Sequence, residues 1–273
     1  MKKLFLDMPN AKYHASDGIS KTGLDLFAKD PHAVEWAKRC PVDEEKLKTF
    51  DFGDAMHAIS LEPDRLKSEF VTMPPFNLRT NEGKESKKAF LEETKGHKVL
   101  TDDEHKKLHL MFESLMAHPE CRKLIEANGV AESSYFYTDP ETGILLRCRP
   151  DKIVGRKLID VKTTPTLAKF HYSVDEFRYW IQAPWYCDIV RQFQDVSHLE
   201  FLVIQKTIEI GRYPCAVWQL PPEVVEYGRL TMRRELRKYA DFMSSDKKPP
   251  TQYLEMPWRF QQEAEEAVSE VII

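Results

Sequence analysis

Polar and apolar positions alternate along Leu145-Leu146-Arg147-Cys148-Arg149-Pro150-Asp151, a period of two that predicts a strand over 145–150. The alternation puts Arg147, Arg149 and Asp151 on one face, leaving Leu146, Cys148 and Pro150 on the other. In Lys157-Leu158-Ile159-Asp160-Val161-Lys162 the same rule places Asp160 and Lys162 together, with Ile159 and Val161 turned into a core. Gly155-Arg156-Lys157 predicts a hairpin turn between the two strands. Further strands are expected at 132–137, 198–206 and 211–218, with a turn at 139–143. Helical spacing appears elsewhere. Ser20 caps a first helix that Asp30-Pro31 ends, and a helix through His57 stops before Pro63. A polar, proline-containing connector over 74–85 leads to helices at 84–93 and 102–117, the second with Leu108, Phe112 and Leu115 on one face. A helix follows over 182–191, locally distorted or starting near Pro184, and another runs from Pro221 to about Met243. The order is α, then α/β, then α, without internal repeats. The economical reading is one domain over 1–273, with a catalytic core over about 50–220 and a helical extension over about 221–273.

The two strand faces bring two acids, two arginines and a lysine to one patch, which suits the cutting of phosphodiesters. Mg²⁺ takes oxygen ligands and keeps several waters, so two aspartates plus a substrate phosphate suit it better than a closed cage. The metal would polarise the phosphate and lower the pKa of a bound water, with the neighbouring lysine orienting that water or offsetting the growing charge. Asp-x-Lys alone is a common solvated strand end. It gains meaning from Arg149-Pro150-Asp151 before it and from Gln182 and Tyr186 after it, four residues apart and so on one helical face.

Composition narrows the picture further. A chain of 273 residues and 31.9 kDa can bury a sizeable core. No run approaches the roughly 20 apolar residues that span a bilayer. The segment from Met1 to Asp7 is too short for a signal peptide, so a cytoplasmic protein with no membrane partner is expected. The formal net charge is −4, so nucleic-acid binding has to come from local basic surface. One such segment, with Arg79, Lys84, Lys87 and Lys88, either lines a DNA channel or is a solvated helix face. The other, from Arg229 to Lys238, reads as a solvated face. Five cysteines, Cys40, Cys121, Cys148, Cys187 and Cys215, are dispersed, which argues against a disulfide framework and a zinc site and for buried small apolar groups.

Taken in order, the Asp, Asp-x-Lys and Gln-x-x-x-Tyr elements resemble the RecB-type branch of the PD-(D/E)xK nuclease superfamily. The wider wording is similar to the C-terminal nuclease domain of the RecE (exodeoxyribonuclease VIII) family. It includes Tyr13-His14, Gly18-Ile19-Ser20-Lys21, the stretch from Lys48 to His57, Leu61-Glu62-Pro63, Ala131-Glu132-Ser133-Ser134, Asp139 to Ile144, Arg147 to Ile153 and Gly211-Arg212-Tyr213-Pro214. The resemblance implies an α/β, restriction-endonuclease-like core, a central mixed sheet flanked by helices, with N- and C-terminal helical additions. It implies His57 as a metal ligand in a Gly-x-x-x-His segment, with Gly53 allowing a close approach to the sheet. The other eight histidines gain no such role.

From the same resemblance, Asp151, Asp160 and His57 would hold Mg²⁺, for which Mn²⁺ substitutes. The Val161 carbonyl would be a further ligand. Glu132, because it begins a neighbouring strand, is either a contact to a second metal or a surface glutamate. Lys162 would place or activate the attacking water, and Gln182 and Tyr186 would order the substrate strand or the surroundings of the lysine. The implied activity digests duplex DNA from the 5′ end, leaving a 3′ tail for a RecT-type annealing protein. A ring, with a tetramer favoured, would enclose the duplex. Lys21 at a helix start, with Arg147 or Arg149, is a candidate to capture the 5′ phosphate, against simple capping by Ser20. A structure-specific endonuclease and a non-catalytic end-binding or annealing module remain as alternatives.

Overall fold

A computed structural model describes residues 1–40, 44–246 and 261–262 of the chain. Its elements run β1 (Lys2–Phe5), α1 (Asn10–Ala15), α2 (Lys21–Lys29), α3 (Ala33–Ala37), α4 (Glu44–Leu61), α5 (Pro63–Glu69) and β2 (Phe70–Met73). Next come α6 (Asn81–Glu93), β3 (Lys98–Thr101), α7 (Asp102–Ala117), α8 (Pro119–Glu126), β4 (Val130–Ala131), β5 (Ser134–Thr138), β6 (Leu145–Cys148), β7 (Lys152–Val154) and β8 (Lys157–Thr164). The chain continues through α9 (Phe170–Glu176), α10 (Tyr179–Val190), β9 (His198–Gln205), β10 (Cys215–Gln219) and α11 (Pro222–Ser244). Two compact units divide it, Met1–Ala240 and Asp241–Ile273. Ala240 lies well beyond 220, so the first unit takes in most of α11 as well as the expected core. The acidic residues Glu263, Glu265, Glu266 and Glu270, in the expected helical extension, lie outside the described residues. No described helix is long and apolar enough to cross a membrane.

The central sheet has five strands in the order β10-β9-β8-β7-β4, with β8 and β9 parallel and the other pairs antiparallel. This is the mixed sheet that was expected. A three-stranded sheet, β1-β5-β6, stands beside it, and β2 pairs with β3. The middle strands are buried on both faces. On β9, Leu199, Phe201 and Val203 join one core cluster while Leu202 and Ile204 join the other. The strand therefore reads as a continuous apolar run. On β8, Leu158 faces the cluster containing α10, and Ile159 and Val161 face the one containing Met56, Leu108 and Met111. Asp160 and Lys162 share the face of Leu158, as the alternation predicts.

The strand expected over 145–150 stops at Cys148. Arg149, Pro150 and Asp151 carry the chain from the three-stranded sheet to the central one, where β7 begins. Strands over 132–137 and 211–218 begin later, at Ser134 and Cys215, and the helix expected from 84 begins at Asn81. Ser20 caps α2 by accepting the Gly23 N–H, and α7 covers 102–117 as expected. The turn between β7 and β8 is a two-residue loop, Gly155-Arg156, with Gly155 at φ 56°. Positive φ there lets the loop follow the twist of the paired strands.

Pro184 lies inside α10, which starts at Tyr179 after a left-handed Arg178 (φ 50°). A proline gives no N–H to the carbonyl four residues back, here that of Trp180. Gly228 of α11 packs against this released carbonyl so closely that a Cβ would sit 1.9 Å from its oxygen. Any larger residue at 228 would collide with this carbonyl, so the crossing requires glycine. Gly53 differs, because nothing lies within 4 Å of where its Cβ would be. The close approach expected there does not occur.

Candidate active site

Beyond Lys152, where β7 begins, β8 is left with an open edge, and the site forms on it. In the register Lys152↔Ile159, continuing the antiparallel pair would set Pro150 opposite Val161, and a proline has no N–H to donate. The Asp151 carboxylate takes over instead, its Oδ2 accepting the Val161 N–H at 2.6 Å. The Asp151 side chain therefore caps a strand edge and faces the site at once. From α4, His57 Nδ1 approaches the same Oδ2 at 3.2 Å. Glu132, between β4 and β5, is held by its N–H donating to the Asp151 carbonyl at 3.0 Å and adopts φ 51°, a region non-glycine residues seldom occupy. One ligand atom each from His57, Glu132 and Asp151 lie within 4.8 Å of one another.

Asp160 occupies the next position along the site. Its Oδ1 accepts a hydrogen bond from Gln182 Nε2 at 2.6 Å, and its Oδ2 pairs with Lys162 Nζ. Lys162 also lies over the Tyr179 ring, 5.0 Å from its centroid. Tyr179 was missed in the sequence, although it stands three residues before Gln182 and so shares its helical face. The Tyr186 phenol makes no hydrogen bond among the described residues. Burial pushes its phenol well above the usual range, with the charges of Asp160 and Asp151 adding to the effect.

The electrostatics separate the acids from the lysine. Burial, and then the charge of Asp151, raises Glu132 to about 9. Burial raises Asp151 to about 6, against the pull of His57 and with a push from Asp160. Burial works against a charged Lys162, but Asp160, Tyr179 and Asp151 outweigh it and hold the ammonium protonated. Carboxylates crowded tightly enough to retain protons would release them to a cation, and a donor set of carboxylate oxygens with one imidazole fits Mg²⁺ or Mn²⁺.

Other residues expected at the site lie elsewhere. Arg147 and Arg149 do not join Asp151 on one face, because the strand breaks before Asp151. Arg147 Nη1 donates to the Tyr13 and His14 carbonyls. Arg149 is buried, donating to Ser134 Oγ, to the Met8 carbonyl and to Asn10, and both guanidinium groups stack on Tyr13. Lys21 is neither in solvent nor open to an anion. It is buried, paired with Asp25 at 2.6 Å, and donates to the Phe177 carbonyl. The helix start beside it is already capped by Ser20. Arg79, Lys84 and Lys88 are exposed before and along α6, and Lys87 shares a groove with Asp102 and Asp103. In α11, Arg229 pairs with Asp188, Arg233 with Asp139 and Arg237 with Glu141, while Arg234 and Lys238 are exposed.

Residues 22–253 match the family described as a PDDEXK-like domain of unknown function (DUF3799), and the chain belongs to that family. The fold is similar to that of a protein from Eubacterium rectale named "Putative exonuclease", with a TM-score of 0.61 at 12% identity over 95% of this chain and 98% of that one. No curated protein matches the sequence.

Proposed function

We propose that the chain is a metal-dependent deoxyribonuclease. More narrowly, it is a 5′-to-3′ exonuclease that acts on duplex ends with Mg²⁺ and leaves a 3′ tail for a RecT-type annealing protein. The observation that carries the reading is the His57–Glu132–Asp151 cluster beside a charged Lys162 held by Asp160. Membership of a PDDEXK-like family and the shared fold with a chain named for exonuclease activity support it.

His57, Asp151 and Asp160 would hold the cation, with the Val161 carbonyl beside them and Glu132 available to a second ion. The bound ion would polarise the scissile phosphate and acidify a coordinated water. Lys162, kept protonated, serves as a donor to the water or to the charge developing on the phosphate, and is not the proton acceptor. Gln182 fixes the Asp160 carboxylate through Oδ1, and the Tyr179 ring supports the lysine from below. The RecE resemblance adds a ring, a tetramer favoured. Enclosing the duplex would let a chain of net charge −4 stay on its substrate, because only the inward surface has to be basic.

Linear and circular duplexes incubated with the protein and Mg²⁺, with separate labels at each 5′ and 3′ end, test the reading. Degradation of the linear form with early release of the 5′ label, the circle staying intact, is expected. Cutting of the circle would point to an endonuclease of the same superfamily. Retarded but uncut DNA at every divalent metal tried would replace the enzyme with an end-binding module.

A further inference from the structure

Outside the acid cluster, at the β10 edge of the central sheet, tertiary structure brings His118 and Cys121, three residues apart, to Cys215. His118 lies between α7 and α8, where its Nδ1 accepts the Cys121 N–H at 3.4 Å as the cap of α8. That contact turns the ring over the first turn of the helix, toward Cys121 three residues on. Cys121 is fully buried, and Cys215 opens β10 with its thiol donating to the Ser114 carbonyl at 3.6 Å. One imidazole nitrogen and the two sulfurs lie within 4.8 Å of one another.

We propose that His118, Cys121 and Cys215 form a second metal site, for Zn²⁺ or a cation of similar softness, that clips α8 to the edge strand β10. Bonds of about 2.3 Å to sulfur and 2.0 Å to nitrogen around a tetrahedral ion leave its ligands roughly 3.5–4 Å apart, so closing the site needs only small side-chain movements. Two thiols and an imidazole select Zn²⁺ over the Mg²⁺ that carboxylates favour. His118 and Cys215 are half-exposed, which gives the ion an entry path and leaves its fourth position to water. The two thiols are side by side before any ion enters, so a cation at either sulfur finds the other within reach. An edge strand paired on one side gains most from such a clip, and the site ties together residues far apart in sequence. The inference does not depend on the nuclease reading.

The experiment titrates Co²⁺ into the reduced, chelator-treated full chain and records the absorption spectrum. A thiolate-to-cobalt charge-transfer band is expected. It should be lost in Cys121→Ser and Cys215→Ser, weakened in His118→Ala, and retained in Asp151→Asn, whose oxygen ligands give no such band. Zn²⁺ at a roughly hundredfold excess over its Kd should raise Tm by about 5–10 °C in the wild type. Absence of the band, or a band unchanged in both serine variants, overturns the site. If the variants do not fold, alkylation of the wild type decides. Zn²⁺ but not Mg²⁺ should slow modification of Cys215 while leaving the exposed Cys40 reactive, and equal rates with both metals overturn the proposal.

Discussion

The acid cluster and the thiol cluster each present three ligands from separate elements around one central sheet, yet they were visible in the sequence to very different degrees. Two acids of the first region lie nine residues apart on either side of a tight hairpin, and the chemistry-bearing side chains follow a strand period. The second joins residues 118 and 121 to residue 215, and nothing local announces it. In the first, carboxylates crowd one another and retain protons. In the second, two thiols and an imidazole meet at the border of an apolar cluster. Crowding of hard oxygens and pairing of soft sulfurs are two ways a fold prepares for a cation, and they imply different ions and different consequences when disturbed.

The largest effect should come from the acid side. Asp151→Asn keeps the size of the side chain but removes a charge shared by His57 and the open edge of β8, and should lower cleavage by on the order of 10³-fold. Asp160→Ala should lose both Mn²⁺ binding and cleavage, whereas Lys162→Ala should lose cleavage and still bind Mn²⁺ and DNA. Normal calorimetric affinity for Mn²⁺ in Asp160→Ala would remove that carboxylate from the metal site.

Gln182→Leu comes next, because it leaves every ligand in place and removes only the donor that fixes Asp160 Oδ1. A loss of about 10–100-fold in metal affinity or turnover is expected, as for other groups that orient a ligand. Wild-type kinetics in this variant would show that Lys162 alone holds the carboxylate.

A smaller effect concerns protons. Glu132 is raised in the folded protein to about 9, from an unfolded value near about 4. Its contribution to stability is therefore fully present below about pH 4 and is lost as pH rises toward 9, because the folded state binds the extra proton. Metal-free protein should melt lower at pH 8 than at pH 6. Glu132→Gln should reduce that drop by about 5–10 °C. Melting curves in chelator at the two pH values measure it, and equal drops in variant and wild type would mean that Glu132 ionises normally. For the same reason, metal binding at pH 7 should release protons, with Asp151, raised to about 6, strengthening the effect at lower pH.

The smallest effect should be that of the thiol cluster on cleavage. At 25 °C and saturating Mg²⁺, Cys215→Ser should change turnover by less than about twofold while lowering Tm in Zn²⁺. A large loss of turnover at unchanged Tm would mean that the two regions are coupled through β9 and β8.

Much of the framework was legible because its signals are local. The cap at Ser20, the helix over 102–117, the strand alternation around Asp160 and the turn at Gly155 each depend on residues within a few positions of one another. Short β-strands such as β1, β4 and β7 were not, since two to four residues carry too little pattern and gain their order from partners across a sheet. The two arginines show how a correct period can mislead. Alternation holds from Leu145 to Cys148, but the chain then changes sheets, and Arg147 and Arg149 end stacked on Tyr13, with only Arg149 within electrostatic reach of Glu132.

By itself the sequence determined the α/β order of elements, the shared face of Asp160 and Lys162, the helix that brings His57, and the spacing that places Gln182 and Tyr186 together. Each follows from dihedral periodicity, which acts over one or two turns. Tertiary structure alone decided that Asp151 caps the open edge of β8, that Glu132 joins His57, that Lys21 is paired with Asp25, and that Cys121 meets Cys215. These depend on which strands end where and on charges brought together by burial, and neither property resides in any short stretch of the chain.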